Sequence, residues 1–317
     1  MPASAEGLLG SLMAPMGLVV TALLWGAMIP MTHALASNVF DPWFFAAVRY
    51  FMPLPLFWVM CLILDRRSPF GGKMPYLRVL GAGLFLCGFS LLYIFGLKLS
   101  NPVRGAIVMS SGPLIATVMA RVMYRQPFAR GFKLALAAAV IGGALVAVDS
   151  ARPRETESAT GVPYIGELLL IGAMISWSLY SLKTSEWLGT LGWSQLRVTF
   201  LTSLTASLLL LLICLPVSLI SPIQLPTEWP SPGNWFMLLW AAFGGGGLAI
   251  VLWNFGVSRV GVPVASIYGN LSPMFAVIVA AIFFQTPLSA QQLLGGALIL
   301  AGIVRMQWLR LQAAPTR

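Results

Sequence analysis

Runs of about 20 apolar residues, the length an α-helix needs to cross a hydrocarbon core, follow one another along almost the whole chain. Breaks at charged, Pro-rich or Gly-rich segments divide it into ten such runs, over residues 12–37, 42–64, 76–99, 102–124, 130–149, 164–188, 195–216, 234–259, 262–285 and 289–309. The 317 residues are 58% hydrophobic and 9% charged, with a mean hydropathy of +0.87, more apolar surface than a water-soluble core can hide. Continuous runs, in place of short alternating segments, speak against a transmembrane barrel. The expectation is an all-α integral membrane protein of ten transmembrane helices. Pro42, Pro102 and Pro263 stand at expected helix starts, where the missing N–H would be unpaired in any case. The first run is longer than a secretion signal's apolar core and has no basic residue before it, so it is expected to stay as a span.

Nineteen Lys plus Arg against nine Asp plus Glu give a net charge of +10. A basic balance can mark a nucleic-acid binder, but these charges sit singly or in short clusters between apolar runs, where they meet anionic lipid headgroups. With the N-terminus in the cytoplasm, fourteen of the nineteen positive residues fall on the inner side and four on the outer, with Arg49 inside the second run. The positive-inside rule then places both termini in the cytoplasm of a bacterial inner membrane. Cys61, Cys87 and Cys214 lie within apolar runs and form no metal-binding or disulfide pattern, so no metal and no cofactor are expected.

Shifted by 160 positions, residues 92–147 align with 252–307 without a gap. Phe95-Gly96, Pro113, Pro127 and Gly142 recur as Phe255-Gly256, Pro273, Pro287 and Gly302. Trp25 with Trp177, and Arg49 with Arg197, extend the correspondence into the earlier runs of each half. The chain therefore reads as two five-helix repeats, 1–150 and 151–317, joined by a polar linker near 150–163. An odd number of spans per repeat inverts the second half relative to the first. Inverted repeats are a recurrent plan of secondary transporters, with the solute near the midplane.

On Trp25-Gly26, Arg49, Phe95-Gly96 with Pro113, Phe255-Gly256 with Pro273, and the Gly295-Gly296 to Gly302 segment, the whole chain resembles the drug/metabolite transporter superfamily. It looks most like the ten-helix EamA-type exporters, and among them the YddG-type exporters of aromatic amino acids. The resemblance implies export of a small metabolite, aromatic or large neutral amino acids foremost. One departure is that members commonly carry Glu just after the fourth and ninth spans, where this chain has Gln126 and Thr286.

Candidate substrate-binding residues follow from polar and aromatic groups inside the spans. Pro113 and Pro273, near the centres of spans four and nine, each remove one helical hydrogen bond, kink the helix and free the carbonyls of Met109 and Gly269. Ser110, Ser111, Tyr268, Asn270 and Ser272 surround them. Such kinks line a cavity or serve packing alone. Trp177, Tyr180 and Lys183 share a broad face of span six, Trp25 and His33 lie on span one, and Tyr93 with Trp253 and Asn254 supply walls from spans three and eight. The alternative for each aromatic is plain packing or an interfacial belt. His33, the single histidine, is the candidate proton carrier, and Lys183 either holds a carboxylate or snorkels to headgroups. Arg49 and Arg197 are read as tying helices or satisfying carbonyls. No Asp or Glu falls mid-span, which points to transport driven by the substrate gradient. Gly244–Gly247 lack the Lys-Ser/Thr of a phosphate loop and read as close packing or as a hinge.

An integral-membrane enzyme is the rival from another class, and nine scattered acids with one His supply no metal cluster or nucleophile pair for it. A channel would carry a repeated filter motif, and none is visible. Within carriers, few buried acids disfavour polyamines and few buried bases disfavour sugar nucleotides. The expected partners are thus a small-molecule substrate and membrane lipid, with no nucleic acid.

Overall fold

The computed structural model describes residues 5–99, 108–109, 111–125, 128, 131–149, 164–220, 229–284 and 289–313. The linker at 150–163, Pro102, Gln126 and Thr286 lie outside that set. The described regular structure is helical: α1 (Ala5–Asn38), α2 (Pro42–Phe51), α3 (Leu54–Leu64), α4 (Tyr76–Leu99), α5 (Gly112–Tyr124), α6 (Phe132–Asp149) and α7 (Ile165–Leu188) lead into a 3₁₀ turn, Gly189–Leu191. Then come α8 (Gln195–Ile220), α9 (Pro232–Leu239), a π-helical stretch Trp240–Leu248, α10 (Ala249–Val260), α11 (Val262–Gly269), α12 (Leu271–Phe284) and α13 (Ala290–Ala313).

Leu12–Ala36, Pro42–Leu64, Tyr76–Leu99, Ile165–Leu191, Gln195–Ile220 and Pro232–Val260 are each long and apolar enough to cross a bilayer, and Gly112–Tyr124, Phe132–Leu145 and Ala290–Met306 are shorter apolar helices. The ninth run is covered by α11 and α12 together. Their outer faces carry exposed Leu, Ile, Val and Phe, among them Leu212, Leu215, Ile282 and Val304, the surface lipid tails would meet. This is an all-α membrane fold.

Local chemistry sets the helix ends. Asp41 caps α2 by accepting the Trp43 N–H at 2.8 Å, with Pro42 in the first turn. Ser231 and Pro232 start α9 the same way, Ser231 Oγ accepting the Asn234 N–H at 3.3 Å. The corner between α10 and α11 turns at Gly261, whose φ of +81° a side chain would strain, and Pro263 sits in the first turn beyond it. Pro53 cannot donate to the carbonyl of Arg49, and the second run divides there into α2 and α3.

Helix α4 packs on α7 and α8, while α1 packs on α10, the π stretch and α12. Pairs α2 with α8, α5 with α11 and α6 with α13 complete the main contacts. Small residues set the closest approaches. A Cβ at Gly96 would lie 2.8 Å from Leu170 Cγ, and one at Gly256 would lie 2.5 Å from Leu18 Cγ. Across α6 and α13, a Cβ at Gly142 would meet the Gly295 carbonyl at 2.5 Å, and one at Gly302 would meet Ala138 Cβ at 2.8 Å and Ala135 Cα at 3.3 Å.

Candidate functional site

Helices α1, α7 and α10 bring Trp25, Trp177 and Trp253 into mutual contact. Ring centroids lie 5.2 Å apart for Trp25 and Trp177, 5.3 Å for Trp25 and Trp253, and 5.5 Å for Trp177 and Trp253. The first pair meets edge to face at 82°, the arrangement that brings a positive ring edge onto a negative face. Helix α4 adds Phe89, 4.9 Å from Trp177, and Tyr93, stacked 5.4 Å from Phe89; Tyr180 stands 5.2 Å from Trp177. Trp253 is buried, whereas Trp25 and Trp177 keep part of their surface open. Four helices thus converge on one aromatic cluster.

Each buried indole N–H needs an acceptor, and two differ in kind. Trp253 Nε1 donates to Ser181 Oγ at 2.9 Å. Trp25 Nε1 donates to the carbonyl of Gly245 at 3.1 Å, inside the π stretch, where wider helical geometry offers a backbone oxygen to a neighbour. The four-glycine run is packed tightly here. A Cβ at Gly245 would collide with Met28 Sδ, one at Gly246 would stand 2.8 Å from the Arg49 carbonyl, and one at Gly247 2.8 Å from Phe57 Cζ.

Below the rings runs a buried polar network. Asn254 Nδ2 donates to Tyr180 OH and to Thr199 Oγ1, both at 3.1 Å, and Tyr180 OH lies 3.4 Å from Thr202 Oγ1. These bonds tie α10 to α7 and α8. Arg49 of α2 is 1% exposed; its Nη2 donates to Tyr50 OH at 3.2 Å and to Ser90 Oγ, on α4, at 3.1 Å.

Spans four and nine are each interrupted by a turn residue just before their central prolines, Ser111 and Asn270, both with backbone angles still in the right-handed helical region. Ser111 forms a turn, its N–H and Oγ both bonded to the Val108 carbonyl at 3.0 and 2.6 Å, and Pro113 falls in the first turn of α5. Asn270 forms the matching turn between α11 and α12, and Pro273 stands in the first turn of α12. Neither proline can donate to the carbonyl four residues earlier, so the chain restarts its helix there. Asn270 Nδ2 donates to the Ala139 carbonyl at 2.9 Å, and Tyr268 is buried in the same core. A Cβ at Gly269 would lie 3.8 Å from Trp253 Cζ3, which sets this break against the aromatic cluster.

Other expected residues lie elsewhere. Lys183 pairs with Glu186 at 2.7 Å, and Tyr124 OH bonds the same carboxylate, closing a partly exposed tie between α5 and α7. Ser110 and the side chain of His33 lie outside the described residues. The pairing of Arg49 with Arg197 fails. Arg49 is buried two turns into α2, whereas Arg197 is in the first turn of α8, where its Nε donates to the Pro69 carbonyl at 2.9 Å, its Nη2 donates to Gly71, and its guanidinium stacks 4.0 Å from Trp193. Beside it a cavity of about 660 Å³ opens between the segments 65–73 and 191–197, lined by Asp65, Arg67, Lys73 and Ser194 among others. Phe89 against Trp177, Ser90 against Arg49 and the Gly245 carbonyl against Trp25 are contacts that sequence reading missed. Phe89 resembles any packing residue in an apolar run, and a backbone acceptor has no side-chain signature.

Comparison with known proteins bears on this architecture. The profile of the EamA-like transporter family matches residues 12–148 and again 164–306. The chain is 28% identical over 225 residues to the uncharacterized transporter YyaM of Bacillus subtilis (strain 168), covering 70% of this chain and 69% of that one. Protein PecM of Dickeya dadantii (strain 3937) is 28% identical over 256 residues, 78% of each chain. One crystal structure superposes with a TM-score of 0.72 over 94% of this chain and 98% of the other; at 18% identity that likeness concerns the fold alone. With both matched segments together spanning most of its length, the chain belongs to the EamA-like transporter family and is a membrane transporter.

Proposed function

We propose that this transporter is a secondary carrier that exports aromatic or large neutral amino acids across a bacterial inner membrane, by alternating access of two inverted five-helix halves, 1–150 and 151–317. The observation that carries the reading is the convergence of Trp25, Trp177, Trp253 and Phe89 from four helices beside a helix break. Rings at 4.9–5.5 Å separation, two of them partly open, offer faces on which another planar or bulky apolar group can pack.

The contacts support the inverted arrangement. Gly96 and Gly256 are 160 residues apart, and the leucines they meet, Leu170 and Leu18, are 152 apart, so each half presents its glycine to the equivalent leucine of the other. Trp25 and Trp177 share that 152-residue spacing. Two packed, exchangeable halves around one site are what alternating access requires. The bacterial relatives and the inner-side excess of positive residues support an inner membrane with both termini cytoplasmic.

Saturable counterflow of labelled L-phenylalanine and L-tryptophan in proteoliposomes tests the substrate. Uptake against internal unlabelled amino acid, abolished in Trp177→Ala and kept in Trp229→Ala, whose indole is 85% exposed, is the expected result. No exchange of either amino acid, alongside exchange of another metabolite class, overturns the substrate reading while leaving the carrier.

A further inference from the structure

Arg49 is a buried cation with no carboxylate beside it among the described residues, its guanidinium carbon 4.9 Å from the centroid of the Tyr50 ring. It is 1% exposed, and while Nη2 reaches Tyr50 and Ser90, Nε and Nη1 have no hydrogen-bond partner. Nε carries one N–H and Nη1 two, so three of the five guanidinium donors are unsatisfied. Among the described residues no carboxylate lies within ion-pair distance of it. A guanidinium does not shed its proton to escape this cost, and unpaired charge in a membrane interior is among the most expensive features a fold can keep. A structural arginine spends its donors on carbonyls, as Arg197 does on Pro69 and Gly71. Arg49 does not.

Its surroundings connect it to the aromatic cluster. Ser90, which receives Nη2, follows Phe89, whose ring packs on Trp177. Gly246, which backs the Arg49 main chain, follows Gly245, which receives the Trp25 N–H. Helix α8, against which α2 and α4 both pack, carries two further buried hydroxyls without partners, Ser203 and Ser207. One unpaired cation, a few hydroxyls and an adjacent wall of rings describe the complement of a small anion with an apolar body.

We propose that Arg49, with Ser90 and Tyr50, is the receptor for a single carboxylate on the transported solute, whose apolar part packs on the tryptophan cluster. The inference rests on the carrier reading above and narrows its substrate class to monocarboxylates, zwitterionic amino acids included. A carboxylate accepting from one of the idle donors, Nε or Nη1, offsets the buried charge.

The test compares four probes on the wild-type protein in detergent by thermal unfolding: 3-phenylpropionate, its carboxamide, phenethylamine and L-phenylalanine. The two carboxylates are expected to raise Tm saturably, and the amide and amine to leave it unchanged at equal concentration. Arg49→Gln, verified as folded by gel filtration and circular dichroism, should weaken 3-phenylpropionate about ten- to a hundredfold, the worth of a charge-assisted pair. Ser90→Ala, which keeps the charge, should weaken it about three- to tenfold. If Arg49→Gln does not fold, the acid-against-amide comparison on wild type decides. Equal binding of acid and amide, undiminished binding by Arg49→Gln, or no binding of any carboxylate overturns the assignment. Phenylalanine counterflow with acid and amide bound alike removes the Arg49 site and leaves the carrier. Acid bound through Arg49 without phenylalanine exchange does the reverse for the amino-acid reading.

Discussion

Gly256 of α10 rests directly on Leu18 of α1, so closely that an added Cβ would stand 2.5 Å from the leucine Cγ. Gly96 of α4 meets Leu170 of α7 in the same way, at 2.8 Å. Alanine at either glycine gains up to about 1 kcal/mol of helix propensity but forces two helices apart, an overpacking cost of about 1–3 kcal/mol. Gly256→Ala and Gly96→Ala should therefore both lower the midpoint of thermal unfolding, by similar amounts. Gly244→Ala is the contrast. Its Cβ would find ordinary contacts at 3.6 Å with Leu24 and Trp240, and it should match or exceed wild type.

Asn254 holds three helices at one amide. Its Nδ2 donates to Tyr180 OH and Thr199 Oγ1 from a site only 5% exposed. Asn254→Ala removes the shared donor from both oxygens, leaving Tyr180 OH beside Thr202 Oγ1 and Thr199 Oγ1 donating to the Gln195 carbonyl, and should cost about 1–3 kcal/mol in denaturation by heat or a mixed-micelle titration. Tyr180→Phe removes one of those partners. The double variant should then lose less than the sum of the two single losses, since they remove one shared bond. Strict additivity would show that the network is not coupled.

Much of this arrangement is legible in the residues. The apolar runs place the helices, and Trp25, Trp177 and Trp253, each picked from a different run, do meet. What misled was the pairing of Arg49 with Arg197. In the proposed repeat, the spacing between paired positions changes from 160 residues in the later helices to 152 at Trp25 and Leu18. A lone matching residue type, found 148 residues apart, therefore carries no register. The tie between Lys183 and Glu186 was readable as an i, i+3 pair and argues for a structural lysine at that position. The acceptor at Gly245 was not, since a backbone carbonyl within a π stretch has no side-chain signature.

Pro113 and Pro273 stand in the first turns of α5 and α12, just after the turns that interrupt two spans. If these breaks are where the spans flex between inward-open and outward-open forms, continuous helices should slow exchange without unfolding the protein. Pro273→Ala restores an N–H able to bond the Gly269 carbonyl, and the variant should unfold at or above the wild-type temperature while its counterflow rate falls. Pro113→Ala should behave alike. A variant that keeps full turnover would assign the break to packing alone.

The acids whose side chains are described stand at helix ends. Asp41 caps α2, the carboxylate of Asp65 accepts from Ser194 at the end of α3, Glu167 lies in the first turn of α7, and Glu186 holds Lys183 and Tyr124. Among the described residues no carboxylate is left in the middle of a span to take up and release a proton during a transport cycle, and an arginine keeps its charge throughout. The expected driving force is then the gradient of the substrate itself. Counterflow in proteoliposomes should run at the same rate with and without an imposed pH gradient, and dissipating that gradient with an ionophore should leave it unchanged. Exchange that stops when the gradient collapses would require a proton carrier, and His33→Gln is the variant that would then identify it by freeing transport from pH.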